Sequence, residues 1–150
     1  SGARIDGVGI QGHWKLNSPS LQEIEESIVA FFFFFLKVMI TELDVSVLPS
    51  PKKLAGANVN QNFAEDPKMN PYSKGLPDSM QIKLAQRYED LFKIFIKHKD
   101  KISRITFWGV NDSQSWLNDW PIKKRTDYPL FFDRNNKPKK VYNQVLSLKK

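Results

Sequence analysis

The sequence predicts an α/β protein built from consecutive parallel βα units. Two observations predict it: apolar strand-like segments alternate with amphipathic helical ones along the chain, and each of the three strand-like segments ends in polar or aromatic side chains. In such folds the connections are right-handed and the loops at the carboxyl ends of the strands build the site, in an open sheet or in a (β/α)8 barrel alike.

The first segment, IDGVGIQGHW at Ile5–Trp14, is short, apolar and glycine-studded, as in a buried strand. A period of two sends Gln11 and His13 to one face and Val8, Ile10 and Gly12 to the other. Ser18 and Pro19 then supply an N-cap and a first-turn proline for a helix from Pro19 to about Phe32, with Glu23 in the neighbourhood of a capping box and Leu21, Ile24, Ile28 and Val29 at helical spacing. The second strand, LKVMITELDV, covers Leu36–Val45 and is β-branched and apolar.

Residues Ser46–Asp78 hold five prolines and many Asn, Lys and Gly, a long connection of the kind kept for function. A helix over Ser79–Lys99 carries Ile82, Leu84, Ala85, Tyr88, Leu91, Phe92, Phe95 and Ile96 as its apolar stripe. The third strand is RITFWGV, Arg104–Val110; a loop rich in tryptophan follows, and the last amphipathic helix spans about Pro138–Leu148.

Composition narrows the function classes. With 41% apolar and 26% charged residues in 150, the chain reads as globular. The formal charge of +7 comes from scattered Lys and Arg and not from one basic face, which argues against a nucleic-acid partner. Cysteine is absent, so disulfides and thiol chemistry are excluded, and the longest apolar run, Ile28–Leu36, is too short to span a bilayer. No signal-peptide pattern stands at the start of the chain.

The strand ends hold the chemistry. Glu42 and Asp44 are two apart on a strand, so both point to one face, with Ile40 expected below them. Two carboxylates this close oppose each other's ionisation unless a cationic or hydrogen-bonding group mediates, and His13 on the neighbouring strand is placed to do so. By residue type alone the trio also suits a salt-bridged loop cap or a cation site. Trp108, Trp116 and Trp120, beside Asn111, Asp112, Asn118 and Asp119, suit a sugar, whose apolar faces stack on rings while its hydroxyls take hydrogen bonds.

Three segments carry a resemblance: GVGIQGHW at 7–14, ITELDV at 40–45 and ITFWGVNDSQSW at 105–116, the last with a Trp-x7-Trp spacing, resemble strands six, seven and eight of family 10 glycoside hydrolases, the endo-1,4-β-xylanases. The stretches LPDSMQIKLAQRYEDLFKIFIKHKDKI and RTDYPLFFDRNNKPKKVYNQVL resemble that family too, so the likeness covers nearly the whole chain. It implies a partial (β/α)8 TIM barrel, its C-terminal βα units six to eight, with residues 1–150 forming the C-terminal part of one catalytic domain.

The resemblance further implies that Glu42 is the nucleophile of a retaining glycosidase, that His13 hydrogen-bonds it and that Asp44 holds His13. Gln11, Trp108, Trp116 and Asn111 are then substrate-binding residues, the partner is xylan or a xylo-oligosaccharide, no cofactor or metal takes part, and the protein is secreted or periplasmic. The acid/base carboxylate belongs to a strand-four segment such as WDVVNE, which this chain lacks, so the resemblance implies a need for the N-terminal part of the barrel and inactivity without it. A β-1,4-glucan-cleaving barrel enzyme and a non-catalytic carbohydrate-binding fragment are the competing expectations. Phe31–Phe35 departs from the family, which has a small-residue turn with a glycine ahead of the LKV strand.

Overall fold

The computed structural model describes residues 2–50 and 66–149. Four parallel strands form one sheet: β1 (Gly7–Ile10) and β2 (His13–Lys15) lie end to end along one edge of the central strand β3 (Lys37–Ser46), and β4 (Ile102–Phe107) runs along the other. The continuous strand expected over Ile5–Trp14 is therefore interrupted at Gln11–Gly12. Its ladder nevertheless carries on, with Glu42 N–H donating to Gln11 O at 2.7 Å and Asp44 N–H to Gly12 O at 3.2 Å. Gly12 has φ +87°, and a Cβ there would meet Ile40 Cγ2 at 2.9 Å, so the bend requires glycine.

Helix α1 (Leu21–Phe33) starts two residues later than its sequence suggests. Ser20, not Ser18, is the N-cap: Glu23 N–H donates to Ser20 Oγ at 3.2 Å and Ser20 N–H to Glu23 Oε2 at 2.7 Å. A capping box needs its acid three residues after the cap, and only Ser20 satisfies that. The helix leaves through a Schellman turn in which Phe35 N–H donates to Phe32 O at 2.8 Å and Leu36 N–H to Phe31 O at 3.4 Å. Phe35 thus occupies the left-handed position, φ +61°, and is 94% exposed; of the five phenylalanines Phe31 packs on the core, while Phe33, Phe34 and Phe35 face solvent.

The pairing register shows where the site comes from. Ile40 pairs with Ile105 and Leu43 with Phe107, three steps on β3 against two on β4; on the other edge Ile10 pairs with Ile40 and His13 with Asp44, three steps against four. β3 therefore carries one extra residue at Thr41–Glu42, a bulge that reverses its alternation. Val38, Ile40, Leu43 and Val45 share the side packed on the helices, with Val8, Ile10, Ile105 and Phe107. Glu42, Asp44 and Ser46 fall on the opposite side. The expectation that Ile40 lies beneath Glu42 on one face is corrected by that single residue.

Helix α2 (Asp78–Lys97) covers the packed side with Leu84, Ala85, Tyr88, Leu91, Ile94 and Phe95, joined by Ile24 and Ile28 of α1 and by Val141 and Val145 of α3 (Lys140–Leu146). Ile82 and Ile96, expected on the stripe, are instead exposed. On the sheet's other side Gly9, Arg104 and Thr106 are exposed, and among the described residues no strand pairs with the far edges of β1 or β4. Part of the long connection expected over Ser46–Asp78, residues 51–65, lies outside the described residues.

Candidate active site

The bulge delivers Glu42 to the bare side of the sheet next to His13, and His13 Nε2 sits 3.0 Å from Glu42 Oε2. The register that sets His13 opposite Asp44 brings His13 Nδ1 to 3.1 Å from Asp44 Oδ1. This second contact has ion-pair distance without the alignment of a hydrogen bond; the aligned donor to Asp44 is the Trp116 indole, Nε1 to Oδ2 at 2.8 Å. The result is a chain of contacts from Glu42 through His13 and Asp44 to Trp116.

Exposure grades along that chain. Glu42 and His13 are about one quarter exposed and open to solvent, whereas Asp44 is only 1% exposed. Burial pushes the Asp44 carboxyl above the usual carboxylate range, opposed by the Trp116 indole and by His13. A carboxylate oxygen accepts and cannot donate, so Nε2–H is the donor to an ionised Glu42, while Nδ1 faces Asp44 at ion-pair distance whether the ring is neutral or charged. In each case the ring is fixed and its Nε2 edge faces Glu42.

Two indoles flank the imidazole. Trp116 lies tilted 57° to it with centroids 4.8 Å apart, and Trp108 meets it edge-on at 6.3 Å and 77°, with 47% of its surface exposed. Trp108 is positioned by its own N–H, which donates to Leu43 O at 3.1 Å just past the end of β4. Gln11 is exposed two residues before His13, and its carbonyl holds the Glu42 N–H. Glu42, His13, Asp44, Trp108, Trp116 and Gln11 thus converge at one end of the sheet.

Asn111 stands apart from them. It is buried, its Oδ1 accepts from Ser113 N–H at 2.9 Å, Ser113 Oγ at 2.6 Å and Gln114 N–H at 3.3 Å, and its Nδ2 donates to Asn136 Oδ1 at 2.6 Å. The side chain caps the start of the tryptophan loop instead of offering itself to a sugar.

Sequence reasoning also missed what anchors that loop. Lys139 Nζ donates to Asp112 Oδ2 at 2.8 Å, Tyr128 O at 2.8 Å and Leu130 O at 2.7 Å, so all three ammonium hydrogens are used. Asp112 is fully buried; burial raises its carboxyl and lowers the Lys139 ammonium, each partner's charge opposing the other's shift. Asp127, likewise buried, accepts from Ser46 Oγ at 2.6 Å, Val47 N–H at 3.1 Å and Tyr128 N–H at 2.8 Å, and so ties the loop to the top of β3. Pairs 27 and 81 residues apart leave no periodic signal in a sequence.

His13 lies between the two carboxylates with both ring nitrogens turned to them, so the trio does not converge on a point a cation could fill. Among the described residues no cluster of three or more His, Asp or Glu is placed to hold a metal ion. No described helix is long and apolar enough to cross a membrane.

The parallel βα units thus carry a histidine set between two carboxylates and flanked by two indoles at the strand ends, the place where barrel folds build their sites. The family model for glycosyl hydrolase family 10 matches residues 1–148, and the chain belongs to that family, whose fold is the (β/α)8 TIM barrel; the chain holds part of it. It is 45% identical over 148 residues to endo-1,4-beta-xylanase A of Xylanibacter ruminicola, covering 99% of this chain and 40% of that protein. It is 38% identical over 141 residues to a thermostable celloxylanase of Thermoclostridium stercorarium, covering 94% of this chain and 32% of that one. Among solved structures, a GH10 endoxylanase retrieved from sugarcane soil metagenome superposes with a TM-score of 0.86 at 49% identity, over 97% of this chain and 40% of its own. The chain thus spans about a third to two fifths of the length of these relatives.

Proposed function

We propose that this chain is the nucleophile-bearing segment of a retaining endo-1,4-β-xylanase, supplying strands six to eight of its barrel as the C-terminal part of one catalytic domain. The observation that carries the reading is the contact of Glu42 with His13, backed by Asp44 and Trp116. Glu42 attacks the anomeric carbon as the glycosidic C–O bond breaks and its oxygen leaves with a proton from the acid/base, giving a glycosyl-enzyme ester; water, losing a proton to that same group, then displaces Glu42 and releases the sugar with net retention. His13 orients the carboxylate, Asp44 holds His13, Trp108 and Trp116 wall the sugar next to the scissile bond, and Gln11 lies at its rim. No cofactor or metal takes part in this scheme.

Retention calls for an acid/base carboxyl at roughly 5 Å from the nucleophile, and the described residues bring no second exposed carboxylate to Glu42. In this reading the preceding part of the barrel supplies it, as a separate chain or as the same polypeptide. Two surfaces support a missing partner: the unpaired edges of β1 and β4, and an apolar groove of about 500 Å3 beside β4, lined by Phe92, Phe95, Ile105, Phe107 and Phe131. A polymeric substrate too large to enter a cell puts such an enzyme outside the cytoplasm, secreted or periplasmic.

The test is to combine the chain with an N-terminal complement and trap the intermediate with a 2-deoxy-2-fluoro-xylobioside. We expect a covalent label on the peptide holding Glu42 and no xylan hydrolysis by the chain alone. A label on another carboxylate overturns the nucleophile assignment, and hydrolysis by the isolated chain overturns the need for a complement. Binding without turnover would leave a carbohydrate-binding fragment, a reading favoured by the exposure of Trp108 and Trp120. Comparing cellobiosides with xylobiosides decides between glucan and xylan, which the name of the celloxylanase relative makes worth asking.

A further inference from the structure

The same register that sets His13 against Asp44 sets Lys15 against Ser46, two residues further up the same face. Lys15 is fixed there from its other side as well, its N–H donating to Ser18 O at 2.8 Å where the chain turns back. Its ammonium makes no ion pair among the described residues. The side chain lines a groove of about 730 Å3 that starts at His13 and runs past Leu16, Asn17, Pro19, Val47 and Pro49, and Lys15 is the one lysine, arginine or carboxylate in its described lining. The lining mixes Leu16, Pro19, Val47 and Pro49 with the polar Asn17, Ser18, Ser46 and Ser50, and Lys15 itself is exposed, so its charge is open to an incoming anion.

Among the described residues, the charged groups around the groove are engaged elsewhere, Asp44 facing His13 and the Trp116 indole. Arg125, nearby, is buried and directs its guanidinium to Pro49 O at 3.2 Å and Trp120 O at 3.4 Å, while Asp127 is taken up by Ser46, Val47 and Tyr128. Partial burial, then repulsion from Arg125, hold Lys15 below the usual ammonium range, with Asp127 opposing. An anion in the groove would relieve both effects.

We propose that Lys15 is a specificity residue that recognises a carboxylate carried by the sugar chain, a uronic acid branch on a xylan backbone seated beside His13. This rests on the reading of Glu42 and His13 as the cleavage centre. The groove has room for a branched pentose unit, and a charge-assisted hydrogen bond from Nζ to a carboxylate is stronger than one to a neutral hydroxyl.

The test uses the active assembly of this chain with the rest of its barrel, and two oligosaccharides of equal length, one linear and neutral, one with a single uronic acid branch. The quantity read is the ratio of their kcat/KM values. We expect Lys15→Gln and Lys15→Ala to lower the acidic-to-neutral ratio by about five- to tenfold and Lys15→Arg to keep it, and the wild-type ratio to fall as salt rises. A ratio unmoved in Lys15→Gln and Lys15→Ala overturns the proposal while leaving the Glu42 assignment intact. Failure of the wild type to cleave either substrate overturns that assignment and the proposal with it.

Discussion

His13 presents Nε2 to Glu42 at 3.0 Å while its other nitrogen faces Asp44 at 3.1 Å, so one imidazole sets the direction of the carboxylate proposed as the nucleophile. On the proposed scheme, its loss would misplace the nucleophile without removing it. Replacing His13 with Ala is expected to lower kcat in the reconstituted enzyme by about 10²-fold, and Glu42→Gln by more than about 10³-fold. Steady-state kinetics on a xylo-oligosaccharide check both, and a His13→Ala enzyme of full activity would remove histidine from the scheme.

Trp116 does two things, walling the site and donating to buried Asp44. Trp116→Phe keeps a ring but strips the donor, leaving Asp44 Oδ2 without its partner. The expected cost is about 1–3 kcal/mol of stability, read by urea unfolding.

The pH dependence of stability has a definite sign at Asp44. Burial raises its carboxyl, so the native state binds this proton more tightly than the unfolded chain. Its stabilising contribution is full below the unfolded value of about 3.9 and is lost as pH rises through the higher folded value. The stability advantage of the wild type over Asp44→Asn should therefore shrink from about pH 4 to pH 7. Urea titrations of both proteins at the two pH values measure it, and an advantage that grows with pH contradicts the assignment.

Asp112 and Lys139 form a buried pair whose hydrogen bonds are complete. Removing one member strands a charge, so Lys139→Met and Asp112→Leu should each cost about 3–5 kcal/mol, and the double replacement less than the sum. Thermal melts of the three variants form the cycle.

Phe35 holds the left-handed position of the α1 Schellman turn, where any side chain with a Cβ is strained. Phe35→Gly should stabilise the protein by about 1 kcal/mol and also reduce exposed apolar surface. A fall in melting temperature would show that the ring makes contacts worth more than the strain.

How much of this was legible in the sequence differs from residue to residue. Strand and helix order followed from periodicity, and that Glu42, His13 and Asp44 meet was legible because all three sit at strand ends, where barrel sites form, while the roles proposed for them come from the family resemblance. The bulge at Thr41–Glu42 was not, since a period-two pattern looks the same until a neighbour's register is known. Ser18 and Ser20 both look like caps, and only the distance to Glu23 separates them. Asn111 resembles a sugar ligand by type and loop, yet its amide closes a turn, and its partner Asn136 is remote in sequence.

The extra residue in β3 also determines which kind of genetic change the site tolerates. Deleting Thr41 would leave Ile40 and Leu43 two steps apart, so plain alternation would still send Leu43 and Val45 to the helices and Glu42 and Asp44 to the bare side; smoothing the bulge out at unchanged length would instead reverse all four. Across Ile40–Leu43, then, an exchange that straightens the strand at full length threatens the placement of Glu42 more than the loss of the extra residue does.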